Sequence, residues 1–387
     1  MLLSDATLGK LLLRGERARV SGSTRGIRES FENSASPYWD LPLLRRDELH
    51  VRLRAAESAG AVTLEWSRQG GDDRTLDAVR LVSVDCLARF LKRSTQAEQV
   101  AKADAILGSF ASAYPRVREL LGAWARLNAP RGLGPESAKD IADAIRVLEA
   151  MANSAEDVIV RVLSVALFKD SKRIEALIRH LDVLTAESLT TPAREWHEVL
   201  SSIGLVKEPQ PLLCAGDGFV TVRGDLRVRL VPPYLGLANG SVDAYEGSPT
   251  WVLTIENLTS FHLAARELNG CPHGLIVYTG GMPSPSWCAA YVRLLDGLDA
   301  GIPAYHWGDI DLGGFRIAAR IRECLPPSRR FFPWLMDSES LDVPQLKVSK
   351  VLRDRMANSA RRAGWGELAE RMAALSCEQE GVPVSLP

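Results

Sequence analysis

The sequence predicts an α/β C-terminal domain built on a parallel sheet, preceded by a helical stretch and a small helix–strand–strand unit. Three observations carry that prediction. Apolar runs at 251–255, 274–278 and 302–307 are each followed by a helical segment, and strands alternating with helices imply a parallel sheet with right-handed crossovers. Ala and Leu recur at three- and four-residue spacing through 97–205, the period of a helix. Between 42 and 95 a helical stretch is followed by two short alternating runs around a polar turn. For 387 residues, at roughly 100–200 per domain, two or three domains are expected. The composition divides them at 1–96, 97–205 and 206–387.

The composition excludes several classes. Hydrophobic residues make up 46% and charged residues 25%, so the chain is neither a disordered tail nor a fibre. No apolar run reaches 18 residues and the N-terminus carries no signal-peptide pattern, so a cytoplasmic protein is expected. The net charge of −1 gives no global nucleic-acid signal, although 316–330 holds five arginines against Glu323. The six cysteines form no CxxC pair, which makes structural zinc unexpected and reduced thiols the expectation.

Taken in order, the elements begin with a helix over Arg46–Gly60, with Leu49, Leu53 and Ala56 on one face. A strand is expected at 61–66, a turn at 69–73, a second strand at 76–84 and helix again from Asp85 to Leu91. Helix, strand, turn, strand is the order of a winged helix, a common DNA-binding module. Pro130 and the 132–135 stretch break the helical region in two. Ser154 is expected to cap a helix running through Phe168, with Glu156 and Asp157 in its first turn. The next helix is expected to start within 170–175, which places Lys172 and Arg173 in its first turn. Positive charge there opposes the macrodipole, and a bound phosphate relieves the conflict, so both are DNA-contact candidates. A hairpin is expected at 218–236, then a loop to Pro249.

The chemistry concentrates just past the C-terminal strands. Glu256 ends the 251–255 run, and Asp309 and Asp311 follow the 302–307 run. Ligands bind beyond the carboxyl ends of parallel strands. Three acids on one sheet edge repel, and a cation is the natural compensation. All-oxygen ligation suits Mg²⁺ or Mn²⁺. Glycines at 308, 313 and 314 allow sharp turns and close approach. Helix is expected from Phe315, so Arg316 falls in its first turn and either meets phosphate or pairs with the acids. His306 and Trp307 lie inside the strand and are expected to pack. Walker and dinucleotide-binding glycine motifs do not occur.

A strand ending in Glu, followed by an Asp-x-Asp strand end and Gly, resembles the toprim domain of topoisomerases, primases and related nucleases. The segments TIENLTSF at 254–261, VYTGGMPS at 277–284 and YHWGDIDLGGFRI at 305–317 are similar to the JetD family, the toprim subunits of Wadjet plasmid defence, as is LFKDSKRIEAL at 167–177. The resemblance implies a winged-helix-like region and a helical arm before a C-terminal toprim domain, akin to the A subunit of topoisomerase VI. It also implies a nuclease that cuts DNA captured by an SMC-type partner motor complex. Carried across by residue, Glu256 is the toprim acid, and Asp309 and Asp311 are the metal-binding pair. Topoisomerase relatives place a nucleophilic Tyr in the winged-helix region. No Tyr lies within 42–95 here, which favours hydrolysis over covalent transesterification. Cutting both strands of a duplex needs two such sites, so a homodimer is expected. A transesterase, and a DNA-binding adaptor with a structural metal site, are the alternatives to a metal-dependent endonuclease.

Overall fold

The computed structural model describes residues 3–68, 74–152, 154, 156–268 and 273–387. The chain divides into two compact units. One comprises Met1–Asp143 with Val183–Pro192, the other Ala144–Asp182 with Ala193–Pro387.

The first unit opens with a helix, Leu3–Ser21, that buries Leu8, Leu11 and Leu12. A short strand, Arg28–Ser30, follows, then the helix Leu43–Ser58 and the strands Val62–Trp66 and Leu76–Leu81. The three strands are antiparallel, with Leu76–Leu81 in the centre. Leu49, Leu53 and Ala56 are the buried face of the second helix, as their spacing requires. The last strand stops at Leu81, short of the expected Val84, because Ser83 begins the next helix by accepting the Cys86 N–H at 3.2 Å. The expected turn at 69–73 lies outside the described residues. Tyr38 is fully buried, its hydroxyl accepting the Leu76 N–H at 3.1 Å. The helices Gln96–Leu107 and Pro115–Ala125 come next. Two 3₁₀ turns, Pro130–Gly132 and Pro135–Ser137, interrupt the helical run where the prolines stand.

Two helix starts in the second unit differ from expectation. The helix ending at Phe168 begins at Val160, not after Ser154. Val158–Ile159 instead pairs as a short parallel strand with Leu205–Val206, and the Ser154 hydroxyl donates to Glu156 O at 2.6 Å. The next helix is the short Arg173–Ala176. Asp170 Oδ1 accepts the Lys172 N–H at 2.8 Å, which leaves exposed Lys172 just before the first turn. The hairpin Phe219–Val222 and Leu226–Arg229 forms as expected, and Val242–Glu246 pairs with its first strand. The expected loop to Pro249 therefore contains strands, Leu235–Leu237 and Val242–Glu246.

The central sheet has six strands in the order Phe331–Pro333, Ala304–Trp307, Trp251–Ile255, Gly274–Tyr278, Leu212–Gly216, Leu235–Leu237. The first four are parallel and the last two antiparallel. Trp251–Ile255 is buried at every position, which is why it reads as a run that is apolar but for Thr254. The helices Leu258–Leu268, Pro285–Asp296 and Leu312–Cys324 pack their buried residues into the same core. Cys288 and Cys324, on the last two of these helices, are bonded to one another with Cα atoms 5.8 Å apart. That departs from the expectation of reduced thiols; a sequence separation of 36 hides the helix packing that pairs them. The chain passes from Trp251–Ile255 to the strand on one side, then crosses to Ala304–Trp307 on the other. The region beyond the carboxyl ends of those two strands, at this reversal, is where open α/β sheets bind ligands.

Candidate metal centre

Glu256 and the Asp309–Asp311 loop meet at that reversal. Parallel register sets Ile255 beside Trp307, and the Glu256 N–H donates to Trp307 O at 3.0 Å. Each strand leaves the sheet at the next residue, so the Glu256 side chain and the Gly308–Asp309 backbone emerge together. Gly308 permits this. A Cβ there would stand 2.6 Å from Glu256 Oε2, too close for carbon. The Asp309 N–H donates to Glu256 Oε2 at 3.2 Å. Gly314 is needed for the turn that follows, because its Cβ would lie 2.1 Å from Asp309 O.

Asp311 has a second duty. Its Oδ1 accepts the Gly314 N–H at 2.7 Å and caps the helix Leu312–Cys324. The helix therefore begins three residues before the expected Phe315. Arg316 falls in its second turn, beyond the reach of the dipole argument made from sequence. Its Nη1 lies 3.4 Å from Glu198 Oε2, with both side chains largely buried. Glu198 borders the same acids: a Cβ on Gly313 would stand 3.2 Å from Asp311 Oδ1 and 3.6 Å from Glu198 Oε1. Glu198 is none of the three acids that the sequence reading offered as partners of Arg316.

A segment the sequence reading did not find closes the site. Ile310 and Cys377 exchange backbone hydrogen bonds in an antiparallel bridge, which sets Asp309 opposite Glu378. Gln379 is the bolt. It is 1% exposed, its N–H donates to Asp309 Oδ1 at 2.7 Å, and its side-chain amide spans both strand ends. Its Nε2 donates to Trp307 O at 3.1 Å and its Oε1 accepts the Asn257 N–H at 2.9 Å. Asn257 Nδ2 in turn donates to Glu380 Oε1 at 2.7 Å. With Gln379 fixed inward, Glu378 and Glu380 flank it, and carboxylate oxygens of Asp309, Glu378 and Glu380 lie within 4.8 Å of one another. The sequence signal for this was a second acid-x-acid pair, but no strand end marked it.

The electrostatics record the crowding. Burial, with Asp309 next, pushes the Glu256 carboxyl up to about 8. Burial pushes Asp309 up to about 6, with Asp311 adding to it against the Gln379 N–H. Carboxyls held this far above their ordinary range lack a compensating positive charge. The donor set is all oxygen, the chemistry of Mg²⁺ and Mn²⁺ rather than of zinc.

Residues 235–384 match the family model described as Wadjet protein JetD, C-terminal. Residues 45–186 match one described as an uncharacterized protein conserved in bacteria, N-term (DUF3322). The chain is also 26% identical over 203 residues to Wadjet protein JetD of Bacillus cereus (strain Q1). Over residues 235–384 the chain is of the JetD C-terminal family. The alignment with that JetD takes in 50% of this chain and 47% of the relative, so the chain spans about half the length of the curated protein it matches. The JetD C-terminal match takes in Glu256, Asp309, Asp311, Glu378 and Glu380 together, whereas Lys172 and Arg173 fall in the other matched region.

Proposed function

We propose that this chain is a metal-dependent DNA endonuclease, the nuclease subunit of an SMC-type antiplasmid complex of the Wadjet kind. The observation that carries the reading is the set of carboxylates from three separate segments at the point where the strand order reverses. The curated relative is named a Wadjet protein, which supports the setting. The six-stranded sheet and its acids are read as a toprim domain, and the unit around Leu43–Ser58 as winged-helix-like.

In this reading Asp309 and Asp311 hold Mg²⁺ or Mn²⁺, and Glu378 and Glu380 extend the donor set beside Asp309. Glu256 is a ligand or the general base. When bound, the metal polarises the scissile phosphate, lowers the pKa of a water and stabilises the leaving oxygen. The chain's own part is to hold the carboxylates convergent: Gln379 pins Asp309, the cap bond fixes Asp311, and the Asp309 N–H orients Glu256. Lys172, Arg173 and the exposed face of Leu43–Ser58 carry double-stranded DNA through phosphate contacts. One acid set cuts one strand, so the active form is a homodimer.

A tyrosine nucleophile is disfavoured. Tyr38 is buried in the core with its hydroxyl bonded, and the Tyr278 phenol is pushed up by burial and by Glu256, so it stays protonated. The deciding experiment is supercoiled plasmid with Mg²⁺ or Mn²⁺, with and without EDTA. Nicked and linear products are expected with metal and none with EDTA. Cleavage that survives in the Asp309→Ala/Asp311→Ala double variant, with contaminating nuclease excluded, overturns the proposal. If chelation unfolds the protein and no cleavage is ever seen, the metal is structural and the chain is an adaptor.

A further inference from the structure

Beneath the acids lies a histidine whose buried nitrogen has no partner. His306 is 0% exposed, in the strand beside the one that ends at Glu256. Register sets it opposite Thr254. Thr254 Oγ1 stands 3.0 Å from Tyr305 O and 3.0 Å from His306 Nδ1. A hydroxyl has one hydrogen and a carbonyl only accepts, so that hydrogen goes to Tyr305 O and His306 Nδ1 must donate. Burial holds the His306 pKa down at about 3, so the ring is neutral. The neutral Nδ1–H tautomer leaves Nε2 with a bare lone pair, and Nε2 is buried without a hydrogen-bond partner. A Cβ on Gly308 would stand 2.9 Å from this Nε2 and 2.6 Å from Glu256 Oε2. Nε2 and Oε2 thus face one another across Gly308, and with Glu256 ionised a water reaching both would satisfy both.

We propose that His306 is a positioning residue: its Nε2 accepts a hydrogen bond from a buried water that also donates to Glu256 Oε2, and so fixes the Glu256 carboxylate against Asp309. The inference rests on the reading of Glu256 as part of a nuclease centre. Glu256 Oε2 already accepts the Asp309 N–H, and the water is its second donor. The Tyr305 carbonyl and Thr254 hydroxyl decide which ring nitrogen is bare, as outer partners do for ligating side chains. Packing alone asks less of this position. The ring lies 6.5 Å, centroid to centroid, from both Phe331 and Trp365, and a phenylalanine fills the same place.

The test has two arms. Nitrogen NMR of histidine-labelled protein without metal is expected to show a ring protonated at Nδ1, with an Nε2 resonance that moves in Glu256→Ala. In plasmid cleavage with Mn²⁺, His306→Phe is expected to lose about 10–100-fold in rate, and His306→Gln, which restores an acceptor near Nε2, to recover much of it. A ring protonated at Nε2, an Nε2 resonance indifferent to Glu256→Ala, or His306→Phe cutting at the wild-type rate overturns the proposal. If His306→Phe melts early, Thr254→Val replaces it. That variant keeps the volume but frees the tautomer, so a wild-type rate there is equally damaging. If the wild-type protein cuts no DNA with either metal, the nuclease reading falls, and the nitrogen resonance alone still decides the link to Glu256.

Discussion

Replacing Glu256 by Gln should stabilise the metal-free protein, and the gain should depend on pH. The Glu256 carboxyl titrates near 8 against an ordinary 4.5, chiefly because it is buried. A raised folded-state pKa means that, between those values, the folded protein keeps a proton the unfolded chain has released. Stability is therefore fully present below about 4.5 and is lost as pH rises towards 8. From 4.5 to pH 8 the span is about 3.5 pH units, which at ~1.36 kcal/mol each is about 5 kcal/mol. Asp309, raised to about 6, titrates in the same window and adds in the same direction. Gln removes the charge and keeps an oxygen for the Asp309 N–H. By differential scanning calorimetry in EDTA, Glu256→Gln should melt about 5–10 °C above wild type at pH 8, and close to it at pH 5. Adding Mn²⁺ at pH 8 should raise the wild-type melting temperature, by mass action, more than that of the variant. A variant no more stable than wild type at pH 8, or equally shifted at both pH values, would refute the account of these acids as an uncompensated cluster.

Asp311 should separate its two duties. Asp311→Asn keeps an N-cap and should lose cleavage with little change in melting, whereas Asp311→Ala should lose cleavage and about 1 kcal/mol besides, measured by urea titration. Gln379→Ala should cost about 1–3 kcal/mol by leaving the Asn257 N–H unpaired, and should weaken Mn²⁺ binding in calorimetry by loosening Glu378 and Glu380. The two groups of basic residues should behave oppositely. Lys172→Ala with Arg173→Ala should reduce the salt slope of DNA binding by about 1–2, while Arg316→Ala should instead lower stability by about 3–5 kcal/mol, because it strands Glu198 in a largely buried place.

The central strands were legible because burial on both faces writes a nearly continuous apolar run, and Trp251–Ile255, apolar but for Thr254, is such a strand. Glu256, Asp309 and Asp311 were legible because polar residues directly after such runs must lie at the sheet edge. The helix Leu3–Ser21 was not. Its buried face mixes Ser4, Thr7 and Gly15 with Leu8, Leu11 and Leu12, so its apolar stripe is short and easily overlooked. One helix start was misplaced because a residue read for its chemistry does the capping. Asp311 was read as a ligand and so not as the cap that begins the next helix. His306 was correctly expected to pack, but the Thr254 hydroxyl that sets its tautomer belongs to another strand.

Glu378 and Glu380 show why the rest of the site was hidden. Their placement depends on one antiparallel bridge, Ile310 with Cys377, and on one buried amide, Gln379, and neither leaves a periodic trace in sequence. Once that bridge forms, the geometry follows. Asp309 and Asp311 flank Ile310, Glu378 and Glu380 flank Gln379, and the inward turn of Gln379 leaves its two acidic neighbours beside Asp309. Hydrophobic burial of the strands drives these segments together, and the carboxylates are carried along at a cost in repulsion that burial of Glu256 and Asp309 makes visible. A fold selected for stability alone would discard such an arrangement. At the reversal of the sheet, with glycines at 308 and 314 leaving room beside Glu256 and Asp309, the proposed cation is what would offset that repulsion.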